Sequence, residues 1–249
     1  MRILLTNDDG IDSVGLVALA GRLRRDHEVW VVAPDRERSG CSHSITLHGP
    51  TRIKKEGERI YVCHGTPADC VLKACLGIVP VSLDLVISGI NLGPNLGTDI
   101  IYSGTAAGAR EGVLMGVASI AASLNAQHPP YELDRPVEFL AENIARFYEL
   151  GTCDHFLNIN FPSSMNQGTE IAVTFPTRRV YRDELLTFDA PDGYIYAFLG
   201  GASAVSHNEA GSDYEAVCRG SVSLSPILIH PTNHSAAERY KKVSFQDEP

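Results

Sequence analysis

Two adjacent carboxylates, Asp8 and Asp9, close the segment Asn7-Asp8-Asp9-Gly10 directly after the apolar run Arg2–Thr6. Side-by-side carboxylates repel, and they stay ionised together most easily when a cation lies between them. On the pair alone two readings stay open. One is a metal site; the other is a solvated turn in which Asp9 or Asp12 caps the next helix. Three further segments are dense in groups that bind cations or anions. Residues 34–46 carry Ser39, Ser42, Ser44 and Thr46 with Cys41 and His43. Residues 88–99 carry Asn91 and Asn95 among glycines at 89, 93 and 97. Tyr102-Ser103-Gly104-Thr105 precedes a small-residue stretch of helical character.

The glycine spacing in 88–99 is neither GxGxxG nor a P-loop, because no Gly-Lys-Ser/Thr follows. A dinucleotide fold and a Walker nucleotidase are therefore poorly supported. The asparagines offer amide oxygens to a hard cation or N–H donors to an anion, although asparagines also occupy left-handed turn positions for purely local reasons. Ser103 can cap a helix whose first N–H groups and dipole favour an oxyanion; Gly104 allows close approach and Thr105 adds a hydroxyl. Most such serines are ordinary caps. The candidate cation ligands are Asp8, Asp9, a hydroxyl near Ser39, and Asn91. All are oxygen donors, which suits Mg²⁺, Mn²⁺ or Ca²⁺ better than zinc. Beside a phosphate-suited helix start, such a cation can polarise a phosphoryl oxygen and lower the pKa of a bound water. The chemistry expected is metal-assisted phosphoester hydrolysis.

These segments need a scaffold that gathers them. The first half alternates short apolar runs with amphipathic stretches: strand Arg2–Thr6, helix Ser13–Arg25, strand Glu28–Ala33, a hairpin over Thr51–Lys55 and Arg59–Cys63, and helix Thr66–Leu76. Strand Leu83–Ser88, helix Ser103–Met115, strand Val117–Ala122, helix Pro136–Leu150 and strand Phe156–Phe161 follow. This alternation predicts an α/β fold with a parallel sheet and right-handed crossovers. Ligands of such sheets bind outside the carboxyl ends of the strands, where all four segments would lie. From about residue 168 the texture changes. Extended segments are expected at Glu170–Phe175, Arg179–Tyr181, Gly193–Leu199 and Ser221–Ser225, a loop over 200–211, and helices at Ser212–Arg219 and Thr232–Lys242.

Composition excludes several classes. A net charge of −9 with no basic stretch argues against binding a nucleic-acid duplex. No run approaches the ~20 apolar residues of a membrane span. The six cysteines form no CxxC pair or zinc-type spacing. With no basic and apolar leader evident ahead of the first strand, free thiols and a cytoplasmic location are expected. Cys41 shares a loop with His43, but small thiols are commoner as packing groups than as nucleophiles.

Together, Asn7-Asp8-Asp9-Gly10, Ala33-Pro34-Asp35 with Ser39-Gly40 and Ser44-Ile45-Thr46, Gly65-Thr66-Pro67-Ala68-Asp69-Cys70-Val71, Ser88-Gly89-Ile90-Asn91-Leu92-Gly93 and Tyr102-Ser103-Gly104-Thr105 resemble the SurE family. These are stationary-phase survival proteins that act as divalent-metal-dependent 5′(3′)-nucleotidases. Asn158-Ile159-Asn160-Phe161-Pro162 and the stretch from Ser212-Asp213-Tyr214 to Ser225-Pro226 are similar to family segments too. The family often has Thr where Ser212 stands, a change that keeps the hydroxyl.

The resemblance implies a Rossmann-like three-layer sandwich with a mostly parallel sheet and a smaller C-terminal β-rich extension. It implies one domain over 1–249, with a core over 1–167 and an oligomerisation extension over 168–249. It places the metal ligands on Asp8, Asp9, Ser39 and Asn91 and the phosphate contacts on Asn95, Ser103, Gly104 and Thr105; Asp8 and Asp9 are the expected catalytic residues, one of them assisting as base. It further implies one divalent cation per subunit, Mg²⁺ or Mn²⁺, and a homodimer or homotetramer with exchanged C-terminal elements. The expected reaction is hydrolysis of nucleoside 5′(3′)-monophosphates to nucleoside and phosphate by a metal-activated water. A nucleotide sensor without turnover and a metal-dependent deacylase are the competing classes; the helix start at Ser103 speaks against the second.

Overall fold

The computed structural model describes residues 1–126 and 128–243, and only the backbone of residues 201–206. Six apolar or near-apolar segments form a parallel series; five are buried along nearly their whole length, and the sixth, Ile60–Cys63, is half-buried. They are β1 (Arg2–Thr6), β2 (Glu28–Pro34), β4 (Ile60–Cys63), β5 (Leu85–Leu92), β6 (Ala118–Leu124) and β7 (His155–Phe161). With β3 (Ile53–Gly57), β8 (Ile171–Val173) and β11 (Val222–Leu228) they make one nine-stranded sheet in the order β3-β4-β2-β1-β5-β6-β7-β11-β8. Three pairings qualify the parallel pattern. β3 is antiparallel to β4, β11 is antiparallel to β7, and β8 lies parallel to β11 at the far edge.

Strand order reverses between β1 and β5. From β1 the chain runs outward through β2 and β4 on one side, then crosses to β5, β6 and β7 on the other. The loops after β1 and β5 therefore diverge and leave a crevice between them.

Helices cover both faces. α1 (Val14–Leu23) and α4 (Asp134–Leu150) lie on one face, where Leu16, Leu19, Leu23, Leu140 and Ile144 pack on the buried strand residues. Each such leucine contributes roughly 1.5–3 kcal/mol by leaving water. α2 (Pro67–Lys73) and α3 (Gly104–Leu114) cover the other face. α2 begins in a reciprocal capping box: the Thr66 hydroxyl accepts from the Asp69 N–H, and the Asp69 carboxylate accepts from the Thr66 N–H. α3 is rich in glycine and alanine, so it lies close on the sheet and brings its N-terminus down to the crevice.

Several boundaries differ from those the sequence predicts. β5 runs on to Leu92 rather than ending at Ser88, with an irregularity between Ser88 and Asn91. Gly89 makes this passage possible, since a Cβ there would sit 2.3 Å from the carbonyl oxygen of Ala122 at a φ of +139°. The predicted helix Thr66–Leu76 ends its α-helical part at Lys73 and continues as a π-turn over Ala74–Ile78. Within the 200–211 segment predicted as a loop, residues up to Ser206 instead belong to β10 (Ile195–Ser206), which pairs antiparallel with β9 (Arg179–Asp189). That hairpin stands apart from the main sheet and exposes Leu185, Leu186, Phe188, Ile195, Phe198 and Leu199. α5 (Asp213–Cys218) and α6 (His234–Tyr240) complete the described chain. The polar tail beyond Val243 lies outside the described residues. Among the described residues no helix is long and apolar enough to cross a membrane.

Candidate active site at the sheet's switch point

The turn after β1 is held by Asn7, a buried side chain that donates to the Gly10 carbonyl (2.9 Å) and accepts from the Gly10 N–H (3.2 Å). This closure presents Asp8 and Asp9 at the crevice. Asp8 is 5 % exposed. Its Oδ1 accepts the Thr105 hydroxyl at 2.5 Å, and its carbonyl accepts the Arg38 N–H at 2.7 Å. The first bond ties β1 to α3; the second ties it to the 34–46 loop. Asp9 is held more loosely, with the Leu92 N–H at 3.4 Å and the Ser13 hydroxyl at 3.5 Å.

One cavity of about 240 Å³ joins the parts. It is lined by Asp8, Asp9, Glu37, Ser39, Gly40, Asn91, Leu92, Asn95, Asp99, Tyr102 and Ser103. Six of the eight residues expected at the site thus converge, and Gly104 and Thr105 do not line the cavity. They back directly onto Asp8. A Cβ on Gly104 would come within 2.8 Å of the Asp8 carboxylate and 3.0 Å of Cys41 Sγ, so only glycine lets α3 start this close. A larger groove of about 460 Å³ beneath α1 is lined mainly by apolar side chains such as Ile11, Leu16, Val31 and Ile60, and gathers no comparable donor set.

Each lining group has a defined state. Asn91 donates its amide to the Gly93 carbonyl (2.8 Å), which leaves Oδ1 as its free acceptor. Ser39 donates to Glu37 Oε1 (2.8 Å), so its oxygen lone pairs remain. Ser103 caps α3 by accepting from the Ala106 N–H (2.9 Å), and its own hydroxyl proton has no acceptor among the described hydrogen bonds. Asn95 is clamped by three neighbours. Its N–H donates to Asn160 Oδ1 (2.9 Å), its carbonyl accepts from Asn158 (2.9 Å) and Asn160 (3.0 Å), and its amide donates to Ser123 (2.8 Å). Asp213 fixes the next turn by accepting from the N–H groups of Gly97 (2.7 Å) and Thr177 (2.8 Å).

Sequence reasoning missed the roles of Asn158, Asn160, Asp213, Glu37 and Asp99. For the first two a signal existed: asparagines at i and i+2 in an apolar strand share one face, here the face turned to Asn95. Asp99 accepts from Arg179 and from the Tyr181 hydroxyl, which joins the β9–β10 hairpin to the cavity wall.

The electrostatics of the cavity are lopsided. Asp8, Asp9, Glu37 and Asp99 line it, while the nearby Arg38 is engaged with Asp35 at 2.7 Å. Burial raises the Asp8 carboxyl above its ordinary range against the pull of the Thr105 hydroxyl and neighbouring backbone N–H groups. Burial, and then the charge of Asp8, push Asp9 up to about 6. A buried and a half-buried carboxylate with so few donors are by themselves a poor host for a phosphate dianion. Carboxylate, amide and hydroxyl oxygens are hard ligands. Among the described residues no group of three or more His, Cys, Asp or Glu side chains is arranged to hold a metal; Asn91 and Ser39 are further oxygen donors at the cavity. Cys41 packs beside Asp8, and burial followed by that carboxylate raises its thiol pKa, which is the opposite of nucleophile activation. His43 is turned away from the cavity onto Glu111 of α3 at 2.8 Å.

Fold and site define a doubly wound α/β protein whose switch-point crevice pairs an acidic, oxygen-rich pocket with a helix N-terminus. The chain belongs to the survival protein SurE family, whose model matches residues 3–183. Similar curated proteins include the 5′-nucleotidase SurE of Syntrophomonas wolfei, 41 % identical over 99 % of this chain and 96 % of that protein. Another, the 5′-nucleotidase SurE of Geotalea daltonii, is 39 % identical over 97 % of this chain and 98 % of its own. The crystal structure of the SurE protein from Aquifex aeolicus superposes with a TM-score of 0.84 at 35 % identity, covering 97 % of this chain and 98 % of that one.

Proposed function

We propose that this chain is a 5′-nucleotidase that hydrolyses nucleoside 5′- or 3′-monophosphates to nucleoside and phosphate with one divalent cation, Mg²⁺ or Mn²⁺, per subunit. The observation that carries this is the convergence of Asp8, Asp9, Ser39 and Asn91 on one cavity that also opens on the capping hydroxyl of α3. Those four residues would hold the cation. When bound, it supplies the positive potential that draws a phosphoryl oxygen and acidifies a water.

The chain's own groups do the rest. The Ser103 hydroxyl, free to donate, would bond a phosphate oxygen, and the clamped Asn95 lines the same cavity. Thr105 and Gly104 act one step back: Thr105 fixes Asp8, and Gly104 gives it room. Donors held this rigidly stabilise transition-state charge without reorganising. Asp8 is fixed by Thr105, whereas Asp9, with its long contacts, is the freer of the two to take the proton of an attacking water. The water oxygen bonds to phosphorus as the P–O bond to the nucleoside breaks, and the proton taken up by Asp9 passes to the leaving oxygen.

The exposed apolar side chains of the β9–β10 hairpin support a homodimer or homotetramer assembled through C-terminal elements.

Phosphate release from nucleoside 5′- and 3′-monophosphates by chelator-stripped protein tests the function. Mg²⁺, Mn²⁺, Ca²⁺ or Zn²⁺ is added back singly, with Asp8→Asn alongside. Activity should return with a hard cation and fall at least about a hundred-fold in the variant, with an unchanged circular dichroism spectrum. Equal turnover in Asp8→Asn would sink the assignment; nucleotide binding without turnover would favour the sensor class.

A further inference from the structure

The groups assigned so far all face the phosphate. A nucleoside also presents a flat, largely apolar base, and the acidic cavity offers little to hold it. Among its lining residues one aromatic side chain stands out. Tyr102 is 57 % exposed and follows the equally exposed Ile101, but of the two only Tyr102 borders the cavity, next to the buried Ser103.

Its backbone is fixed. The Tyr102 N–H donates to the Asp99 carbonyl (2.9 Å), its own carbonyl accepts from the Ser42 N–H (3.0 Å), and the next N–H, of Ser103, also returns to Asp99 (3.1 Å). The Ser42 hydroxyl holds the preceding carbonyl, that of Ile101, at 2.7 Å. A rigid main chain thus carries an aromatic ring that has no described hydrogen-bond partner and stands one residue before the helix cap. The neighbouring carboxylate does not compete for a ligand's polar edge, because both oxygens of Asp99 are taken, by Arg179 and by the Tyr181 hydroxyl. An anchored, exposed ring costs little entropy to order and offers the π-face that any base can stack on.

We propose that Tyr102 is the stacking platform for the base and is the residue that makes this site prefer nucleotides to simple sugar phosphates. This rests on the nucleotidase function proposed above. Stacking acts alike on the bound substrate and on the transition state, so its loss appears in KM rather than in kcat. The effect is larger for purines, which present the larger face.

The test compares wild-type protein, Tyr102→Ala and Tyr102→Phe with Mg²⁺ or Mn²⁺ on a purine monophosphate, a pyrimidine monophosphate and ribose 5-phosphate, which has the phosphate and sugar but no base. Tyr102→Ala should raise KM for the purine nucleotide roughly ten-fold, less for the pyrimidine, and not for ribose 5-phosphate; Tyr102→Phe should restore the nucleotide KM. An unchanged nucleotide KM in Tyr102→Ala overturns the proposal. So does an equal rise for ribose 5-phosphate, which would make Tyr102 a support for the start of α3. If wild-type protein hydrolyses none of the three, the nucleotidase function fails on its own. The same comparison then passes to calorimetric binding of the nucleotides and ribose 5-phosphate, where a base-dependent loss in Tyr102→Ala upholds the platform and its absence removes it.

Discussion

Thr105 donates its hydroxyl to Oδ1 of Asp8 across 97 positions of sequence, and both residues are buried. The bond joins the end of the central strand to the first turn of α3 and lowers the pKa of a carboxyl that burial raises. Valine in place of Thr105 keeps the shape and removes the donor, so a buried carboxylate loses its closest partner. The expected cost is about 1–3 kcal/mol of unfolding free energy. Thr105→Ser should recover most of it. Urea unfolding followed by circular dichroism reads both; a Thr105→Val midpoint equal to the wild type would show the bond to be neutral.

Asp69 gives stability a pH signature. It is fully buried, and burial alone raises its carboxyl pKa. The Lys73 ammonium at 2.5 Å, the Thr46 N–H and hydroxyl, and the Thr66 N–H outweigh that and hold it below its ordinary value. A carboxyl depressed in the folded state stabilises fully above its unfolded pKa of about 3.9, and the contribution drains away as pH falls through the folded value. Asp69→Asn should therefore melt lower than wild type near neutral pH, with the gap closing below about pH 4. Melting temperatures measured in parallel between about pH 7 and about pH 3 check this. A gap that stays constant would mean that charge is not what Asp69 contributes.

Arg179 bolts the β9–β10 hairpin to the cavity wall. It pairs with Asp99, and its N–H donates to the Thr98 hydroxyl at 3.0 Å. Arg179→Met strips the counter-charge from Asp99, which burial already pushes up in pKa. Removing one partner of a largely buried pair costs on the order of 3 kcal/mol. The loss should concentrate at the hairpin. Limited proteolysis with mass spectrometry should show faster cleavage between residues 179 and 206 in the variant, with the main sheet protected. Cleavage spread evenly over the chain would contradict a local anchor.

The crevice was legible in the sequence for a physical reason. Central parallel strands must be apolar throughout, so the polar segments that open after Thr6 and at Ser88 stand out and share an edge. Ser103 was legible as a cap because capping is local. Interactions across the sheet were not. Asn158 and Asn160 serve Asn95 only because β7 lies beside β6, which lies beside β5, and register of that kind is absent from local periodicity. Gly200 and Gly201 resemble a loop, yet antiparallel pairing with β9 carries strand through them. The orientation of Thr105 is a third case: a hydroxyl at a helix start suits an anion equally well, and the tertiary approach of Asp8 decides where it points.

The order of β7, β11 and β8 also bears on how the chain is made. β8 leaves the ribosome early but pairs only with β11, and the edge of β7 likewise waits for β11 to arrive. Until Val222–Leu228 emerges, the growing chain carries two unsatisfied strand edges and the apolar side chains of Phe156, Leu157 and Ile159 beside them. Completion of the sheet is thus a late event in synthesis, reached only when the last strand slots into the gap between β7 and β8.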